Sequence, residues 1–201
     1  MSKPTLTYFD IPTSRGEEIR LALTIANVPF TDERLTQAQW ALRKPSAPFG
    51  ALPIFTTEGR PPLAQSNAIL RMLGTQHGLL PSDAWEAARH EAVMCAVEEM
   101  RAKLGPTGRI KDPAEKQAAR EALANSFFPE WCAQLEKQIN GPFVGGASLS
   151  VADLKLFVAM TPLLAAKIDH IPAETFRPFP RLLALVTAVK AHPKVAEWYS
   201  K

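Results

Sequence analysis

The spacing of apolar residues changes several times within the first eighty positions, and this alternation predicts an α/β unit. Apolar and polar side chains alternate over residues 4–9, as on a half-buried strand, whereas residues 15–27 carry an apolar face at helical spacing that Ser14 can cap. The same patterns predict a second strand over residues 30–35 and a turn of helix over 37–43. They also predict a third strand over 53–57, a fourth over 60–64 and a helix over 66–76. A strand–helix–strand unit implies a parallel pair, and the short Glu58-Gly59 turn implies an antiparallel hairpin. We therefore expect a mixed four-stranded sheet with helices on its faces.

After Pro81 and Ser82 the chain predicts only helices. Alanine is abundant there, and apolar residues recur at helical spacing over 83–104, 113–138, 150–168 and 179–190, with a last turn near 193–199. Ser150 and Asp153 have the spacing of a capping box at one helix start, so we interpret Asp153 as structural and not as catalytic. The predicted fold class is therefore α/β followed by all-α, with domains at 1–80 and 83–201.

Composition narrows the function classes. The net charge of +3 is scattered rather than clustered, which argues against nucleic acid or an anionic membrane as a partner. No run of about 18 apolar residues and no apolar leader occur, so we expect a soluble cytoplasmic protein. Cys95 and Cys132 lack CxxC spacing, and the four histidines lack metal-ligand spacing, so we predict no metal site and no prosthetic group. The cysteines fit small buried side chains in a reducing compartment, and a disulfide between them stays open.

Three segments of the first domain could together bind and ionise a peptide-like thiol. Tyr8 ends a strand just before a loop, where its phenol can donate a hydrogen bond to sulfur. Pro53 opens a strand, and the main chain of Leu52 can pair with a peptide as an added strand would. Gln65 and Ser66 stand at a helix start, where a hydroxyl, a backbone N–H and the helix dipole favour a carboxylate. This combination is suited to glutathione.

Local sequence leaves a structural interpretation open for each of these residues. Trp40 and Lys44, one helical turn apart, can both reach a second ligand carboxylate, or they can be a core plug and a solvated charge. Tyr8 can equally be a core tyrosine, Pro53 a trans residue that opens a strand, and Ser66 a plain helix cap. The joint order of the motifs along the chain favours the functional interpretation.

In that order and spacing the chain resembles cytosolic glutathione transferases of the tyrosine type, most closely the sigma class and then the mu, pi and alpha classes. The resemblance covers nearly the whole chain and rests on segments with matching motifs: Tyr8-Phe9-Asp10, Arg15 to Arg20, Trp40 with Lys44, Leu52-Pro53, Gln65 to Arg71, Ser150 to Leu154, and Phe179-Pro180 through Lys194.

The resemblance implies a thioredoxin-like N-terminal domain, an all-helical C-terminal domain, a homodimer, and glutathione as co-substrate. It implies that Tyr8 donates to the glutathione sulfur and that Arg15 helps to polarise it. It also implies a set of glutathione contacts: Trp40 and Lys44 at the glycyl carboxylate, the Leu52 main chain before a cis Pro53, and Gln65 and Ser66 at the γ-glutamyl end.

The resemblance implies a small apolar electrophile as the second substrate, so we expect its pocket to be lined by apolar side chains. These candidates come from both domains: Phe9, Ile11, Met100 and Leu104.

The chain also departs from the family pattern. Residues 10–14 form a loop about one residue longer than usual, and Ala51 replaces a usual amide side chain. The acid that many relatives supply from the partner subunit aligns with Arg101 or Ala102, which leaves Glu98 or Glu99 as substitutes.

The predicted function is conjugation of the glutathione thiolate to electrophiles, as in detoxification. Two alternatives stay open. The same thiolate supports glutathione-dependent isomerisation or peroxide reduction, and the fold also supports a non-catalytic binding or structural relative.

Overall fold

The computed structural model describes residues 3–200, and its first part is a mixed four-stranded sheet with helices. The strands are β1 (Thr5–Phe9), β2 (Thr31–Leu35), β3 (Ile54–Thr56) and β4 (Leu63–Ala64), and the helices are α1 (Ser14–Ile25), α2 (Gln37–Arg43) and α3 (Ser66–His77). The strand order is β2-β1-β3-β4, with β1 parallel to β2 and the other two pairs antiparallel. The predicted sheet is therefore confirmed, although β4 is shorter than residues 60–64 because Pro61 and Pro62 cannot donate ladder hydrogen bonds.

The two faces of the sheet differ in chemistry. Leu6 and Tyr8 are buried on the face that carries α1, because Gly16 of that helix contacts the Tyr8 ring. Alternation along β1 turns Thr7 to the opposite face, where its hydroxyl donates to Glu33 of β2 at 2.7 Å. The catalytic candidate Tyr8 is thus placed on the apolar face of the sheet.

The remaining described elements are helical. They are α4 (Ala84–Thr107), α5 (Pro113–Ala122), α6 (Phe128–Glu136), α7 (Val151–Leu164), α8 (Pro180–Ala191) and α9 (Pro193–Tyr199). Beyond residue 83 the described chain pairs as β structure only at the isolated bridge between Phe143 and Gly146. None of its helices is long and apolar enough to cross a bilayer.

Contacts divide the chain into two compact units. The first contains residues up to Ala87 and those from His192 onward, and the second is Ala88–Ala191. This differs from the predicted second domain, 83–201, because α9 packs on α1 of the first unit. There the Lys194 ammonium donates to the Ile25 carbonyl oxygen at 2.6 Å.

One predicted helix, 113–138, is interrupted in the structure. A π-helical turn at Leu123–Phe127 separates α5 from α6. Pro129, in the first turn of α6, has no N–H for a helical hydrogen bond, and its ring would clash with the carbonyl four residues earlier. A wider turn avoids this clash, so the prediction of one continuous helix was wrong at this point.

The start of α7 confirms the predicted capping box. Ser150 precedes the helix and exchanges hydrogen bonds with Asp153, whose carboxylate accepts the Ser150 N–H at 2.7 Å. The other oxygen of this fully buried carboxylate accepts the Val144 N–H at 2.7 Å. Asp153 therefore fixes both the helix start and the preceding loop.

Candidate active site

The register of the sheet brings three of the predicted site segments to one end. Ile54 in the middle of the sheet lies opposite Thr7 of β1 and opposite Ala64 of β4. The residues one step beyond these pairs therefore lie side by side at that end: Tyr8, Pro53 and Gln65. Strand pairing, and not proximity in sequence, assembles the candidate site.

Tyr8 is held from several sides. Its side chain is 5% exposed, and its ring meets Phe9 edge-on with 5.6 Å between centroids. Gly16 of α1 lies so close that an added Cβ would stand 2.2 Å from Tyr8 Cδ1. The Tyr8 hydroxyl donates to Ser14 Oγ at 3.3 Å. The sequence predicted Ser14 as the cap of α1, whereas the structure makes it the first helical residue and a contact of the phenol.

The loop that follows Tyr8 is anchored by a residue that sequence reasoning did not assign to the site. The guanidinium of Arg20, fully buried in α1, donates to the carbonyl oxygens of Phe9 at 3.2 Å and Ile11 at 2.9 Å. Glu17 at 3.2 Å and Asp32 at 3.0 Å balance its charge. The available signal was an arginine flanked by the buried Ile19 and Leu21, where a charge requires partners.

The last helix contributes to the same buried network. The indole N–H of Trp198 donates to Glu17 at 2.7 Å across 181 positions of sequence. Burial, followed by the charge of Glu17, raises the pKa of Tyr199 above its ordinary value. α9 is therefore tied to the carboxylate that pairs with Arg20, and through Arg20 to the loop after Tyr8.

The two segments proposed for the peptide part of the ligand have special backbone geometry. The Leu52–Pro53 peptide is cis, as the resemblance implies. Gln65 is exposed and has φ 73° and ψ 113°, a conformation that non-glycine residues rarely adopt. Ser66 is buried and is the first residue of α3, so it is not the residue before the helix, as a plain cap would be.

Trp40 and Lys44 keep the predicted one-turn spacing. The Lys44 N–H donates to the Trp40 carbonyl at the end of α2, and the half-buried Trp40 meets Phe9 edge-on at 6.4 Å between centroids. Lys44 is exposed. α2 has no buried residue and is connected to the sheet by the Arg43–Glu33 ion pair at 2.6 Å. The hydrogen bond from Arg43 lowers the pKa of the Glu33 carboxyl.

The remaining site candidates differ in exposure. Arg15 is half-buried in the first turn of α1, and Ile11 is 37% exposed. In the second unit Met100 is 1% exposed and Leu104 is half-buried, both on α4. Their assembly into one electrophile pocket with Phe9 stays a prediction.

The acidic pair on α4 is divided by its contacts. Glu98 pairs with the fully buried Lys155 at 2.6 Å and with Arg101 at 3.0 Å, both within the helical unit. Glu99 is exposed. Of the two predicted substitutes for a partner-subunit acid, Glu99 therefore has the more accessible carboxylate.

Comparisons with known proteins find relatives for both parts of the chain. Family models of the glutathione S-transferase N-terminal and C-terminal domains match residues 4–74 and 98–201. Hematopoietic prostaglandin D synthase of Gallus gallus is 32% identical over 98% of this chain and 94% of that protein. Glutathione S-transferase 1 of Ascaris suum is 30% identical over 100% of this chain and 97% of that protein.

Solved structures show the same fold. The structure of prostaglandin synthase D of Nilaparvata lugens has a TM-score of 0.87 at 27% identity, covering 100% of this chain and 98% of that one. That of the Ascaris lumbricoides glutathione S-transferase has a TM-score of 0.84 at 27% identity, covering 99% of this chain and 97% of that one. Two domain models in the expected order and relatives of nearly equal length leave one conclusion: the chain is a member of the glutathione S-transferase family.

Proposed function

We propose that this transferase conjugates the glutathione thiolate to small apolar electrophiles and that the Tyr8 hydroxyl stabilises the thiolate. One observation carries the proposal: a buried phenol stands at the same sheet end as the cis Leu52–Pro53 segment and Gln65. A hydroxyl that can donate a hydrogen bond to sulfur, a main-chain segment that can pair with a peptide, and a helix N-terminus therefore lie at the same end of the sheet.

The chemistry requires a donor without a new charge. A free thiol has a pKa of about 8.5, so ionising it at neutral pH takes a shift of roughly two units, or about 2.7 kcal/mol. A hydrogen bond to a charged acceptor contributes about 1.5–3 kcal/mol, which is of the required size. Low exposure of Tyr8 strengthens this bond because little water competes for the sulfur. Arg15 lies in the first turn of α1 and adds positive charge at the N-terminus of that helix.

The remaining glutathione contacts follow from the resemblance and from the placement of each residue. We assign Trp40 and Lys44 to the glycyl carboxylate, since they lie at the end of α2 and Trp40 contacts Phe9. The main chain of Leu52 pairs with the cysteinyl amide. Gln65 and Ser66, at the N-terminus of α3, receive the γ-glutamyl carboxylate, where the helix dipole favours negative charge.

We propose that the electrophile contacts apolar side chains, for which the candidates are Phe9, Ile11, Met100 and Leu104. Holding both substrates together turns a bimolecular reaction into an effectively unimolecular one. The proposed setting is the cytoplasm and the proposed role is detoxification. Cys95 and Cys132 are not joined by a disulfide, which supports a reducing compartment.

Replacing Tyr8 with phenylalanine tests the central step. The variant should lose about ten- to a hundredfold in kcat/KM toward chlorodinitrobenzene at neutral pH, with a much smaller change in glutathione affinity. The loss should shrink at high pH, where the thiol ionises without help. Tyr199, the other of the two tyrosines, supplies the control Tyr199→Phe, in which kcat/KM should keep the wild-type dependence on pH. A Tyr8→Phe enzyme with wild-type kcat/KM and pH profile would refute the assignment.

A second candidate function is glutathione-dependent isomerisation, because relatives named prostaglandin D synthase match the chain at 32% and 29% identity. The same thiolate can serve isomerisation or peroxide reduction. A panel of aryl halides, hydroperoxides and a prostaglandin endoperoxide would rank these activities. Glutathione binding without a thiolate absorbance band would instead favour a non-catalytic relative.

We further propose a homodimer in which Phe49 of one copy enters a groove of the other. Phe49 is 82% exposed and has φ 57°, an uncommon backbone conformation for an aromatic residue. The helical unit has a cavity of about 660 Å³ between α4 and α6, whose apolar wall includes Val93, Phe127 and Trp131. An exposed aromatic side chain and an apolar groove are complementary surfaces.

Sedimentation velocity of Phe49→Ser at micromolar concentration tests this interface, with Leu42→Ser as the matched control because Leu42 is 85% exposed in the same unit. The proposal expects a monomer only for Phe49→Ser. Unchanged association of that variant would contradict it. In such a dimer Glu99 is our candidate for the acid that one subunit supplies to the other.

A further inference from the structure

Ser14 has a hydroxyl group that contacts the Tyr8 hydroxyl and can therefore influence its hydrogen bonding. It stands at the entry of α1, half-buried, with Oγ 3.3 Å from the Tyr8 hydroxyl oxygen. Ser14 is not among the residues that we assign to glutathione. Because Tyr8 is 5% exposed, a neighbouring hydroxyl within reach of its oxygen is a large part of its polar surroundings.

The backbone of Ser14 is held in an uncommon conformation. Its φ is 66°, in the left-handed region, which is unfavourable for a residue with a Cβ relative to ordinary helix geometry. Arg20 fixes the preceding loop through the carbonyl oxygens of Phe9 and Ile11. A strained residue in a braced loop, aimed at a buried phenol, is an arrangement typical of a functional position.

The two hydroxyls can exchange roles. In the structure Tyr8 donates its proton to Ser14, at a distance longer than the usual 2.7–2.8 Å or so for such a bond, so little is lost when the bond reorganises. When Tyr8 turns its proton toward the glutathione sulfur, its oxygen becomes free to accept. The Ser14 hydroxyl can then rotate and donate to it, because each serine oxygen carries one proton and two lone pairs.

We propose that Ser14 is a positioning residue that donates to the Tyr8 hydroxyl oxygen while Tyr8 donates to the glutathione sulfur. This inference rests on the proposed function of Tyr8 and extends it. The resulting chain runs from the Ser14 hydroxyl to the Tyr8 hydroxyl to the thiolate. Each bond polarises the next, which strengthens the bond to sulfur. The thiol proton leaves to solvent, and Tyr8 keeps its own proton throughout.

Two substitutions separate the hydroxyl from the backbone. Ser14→Ala removes the hydroxyl and keeps the strained Cβ, whereas Ser14→Gly removes the hydroxyl and relieves the strain. We expect both variants to raise the pKa of enzyme-bound glutathione by about 0.4–1 unit, measured from the thiolate absorbance band and from kcat/KM against pH. Below that pKa their kcat/KM should fall about 2.5- to tenfold, and above it the difference should vanish.

A double-mutant cycle tests whether Ser14 acts through Tyr8. In the Tyr8→Phe background, Ser14→Gly should change kcat/KM no further, because its target oxygen is missing. An equal loss in both backgrounds would overturn the proposal. So would single variants whose bound-thiol pKa matches that of a wild type with a clear thiolate band. A wild type without that band would overturn the proposed function, and this inference with it.

Discussion

Replacing Gly16 with alanine should displace the Tyr8 ring and weaken the fold. The new Cβ would stand 2.2, 2.4 and 2.8 Å from Tyr8 Cδ1, Cγ and Cβ. These atoms form the base of the side chain, so the ring cannot rotate away unless the backbone of β1 or α1 moves. Overpacking of this kind costs about 1–3 kcal/mol, while alanine gains about 1 kcal/mol of helix propensity over glycine. Because three contacts fall well inside van der Waals range, we expect a net loss of about 1–2 kcal/mol.

Gly105 in α4 provides the matched control. Apart from its chain neighbours and the backbone of its own helix, a Cβ there would meet no atom within 4 Å, so Gly105→Ala should gain helix propensity without a tertiary clash. The two variants should therefore differ by about 2–3 kcal/mol in unfolding free energy, measured by urea denaturation followed by circular dichroism. Activity should separate them too, since a displacement of the phenol by about 1 Å can reduce turnover about a hundredfold. A Gly16→Ala enzyme as stable as Gly105→Ala would refute the packing argument.

Three further outcomes follow from single contacts. Asp153→Ala should lose about 2–5 kcal/mol of unfolding free energy in urea, because it removes a helix cap and leaves a buried backbone N–H without its acceptor. Burial raises the pKa of the Cys132 thiol to about 12, whereas Cys95 is exposed. An aromatic disulfide reagent should therefore modify only Cys95 in the native protein and both thiols after denaturation. Because Arg43 lowers the pKa of Glu33, their ion pair stabilises the fold at pH values above the ordinary carboxyl pKa, and this stabilisation is lost as the pH falls through the lowered pKa. Glu33→Gln should therefore be about 0.2–1 kcal/mol less stable than wild type at neutral pH and equally stable in strongly acidic buffer.

Local pattern was sufficient for the elements that carry the site. The alternation around Tyr8, the proline at the start of β3 and the helix start at Ser66 are short-range signals, and each lies where the sequence placed it, to within a residue or two. The capping box at Ser150 and Asp153 was predictable for the same reason, because both partners belong to one helical turn.

Contacts between distant segments could not be predicted from local sequence patterns. Arg20 binds main-chain oxygens of another segment, and no side-chain pattern encodes such partners. Trp198 contacts Glu17 although the whole helical unit lies between them in the sequence. The contact of Ser14 with Tyr8 depends on a left-handed φ, which sequence rules reserve for glycine and occasionally asparagine.

The return of α9 to α1 makes the first unit discontinuous along the chain. Residues up to Ala87 hold three helices and the whole sheet, yet the indole partner of Glu17 is translated more than a hundred codons later. A nascent chain emerging from the ribosome therefore waits for its last helix before that buried carboxylate acquires its full set of partners. For the same reason, a fragment excised at residue 87 would not be equivalent to the native unit, and dissection experiments need a connector that retains α9.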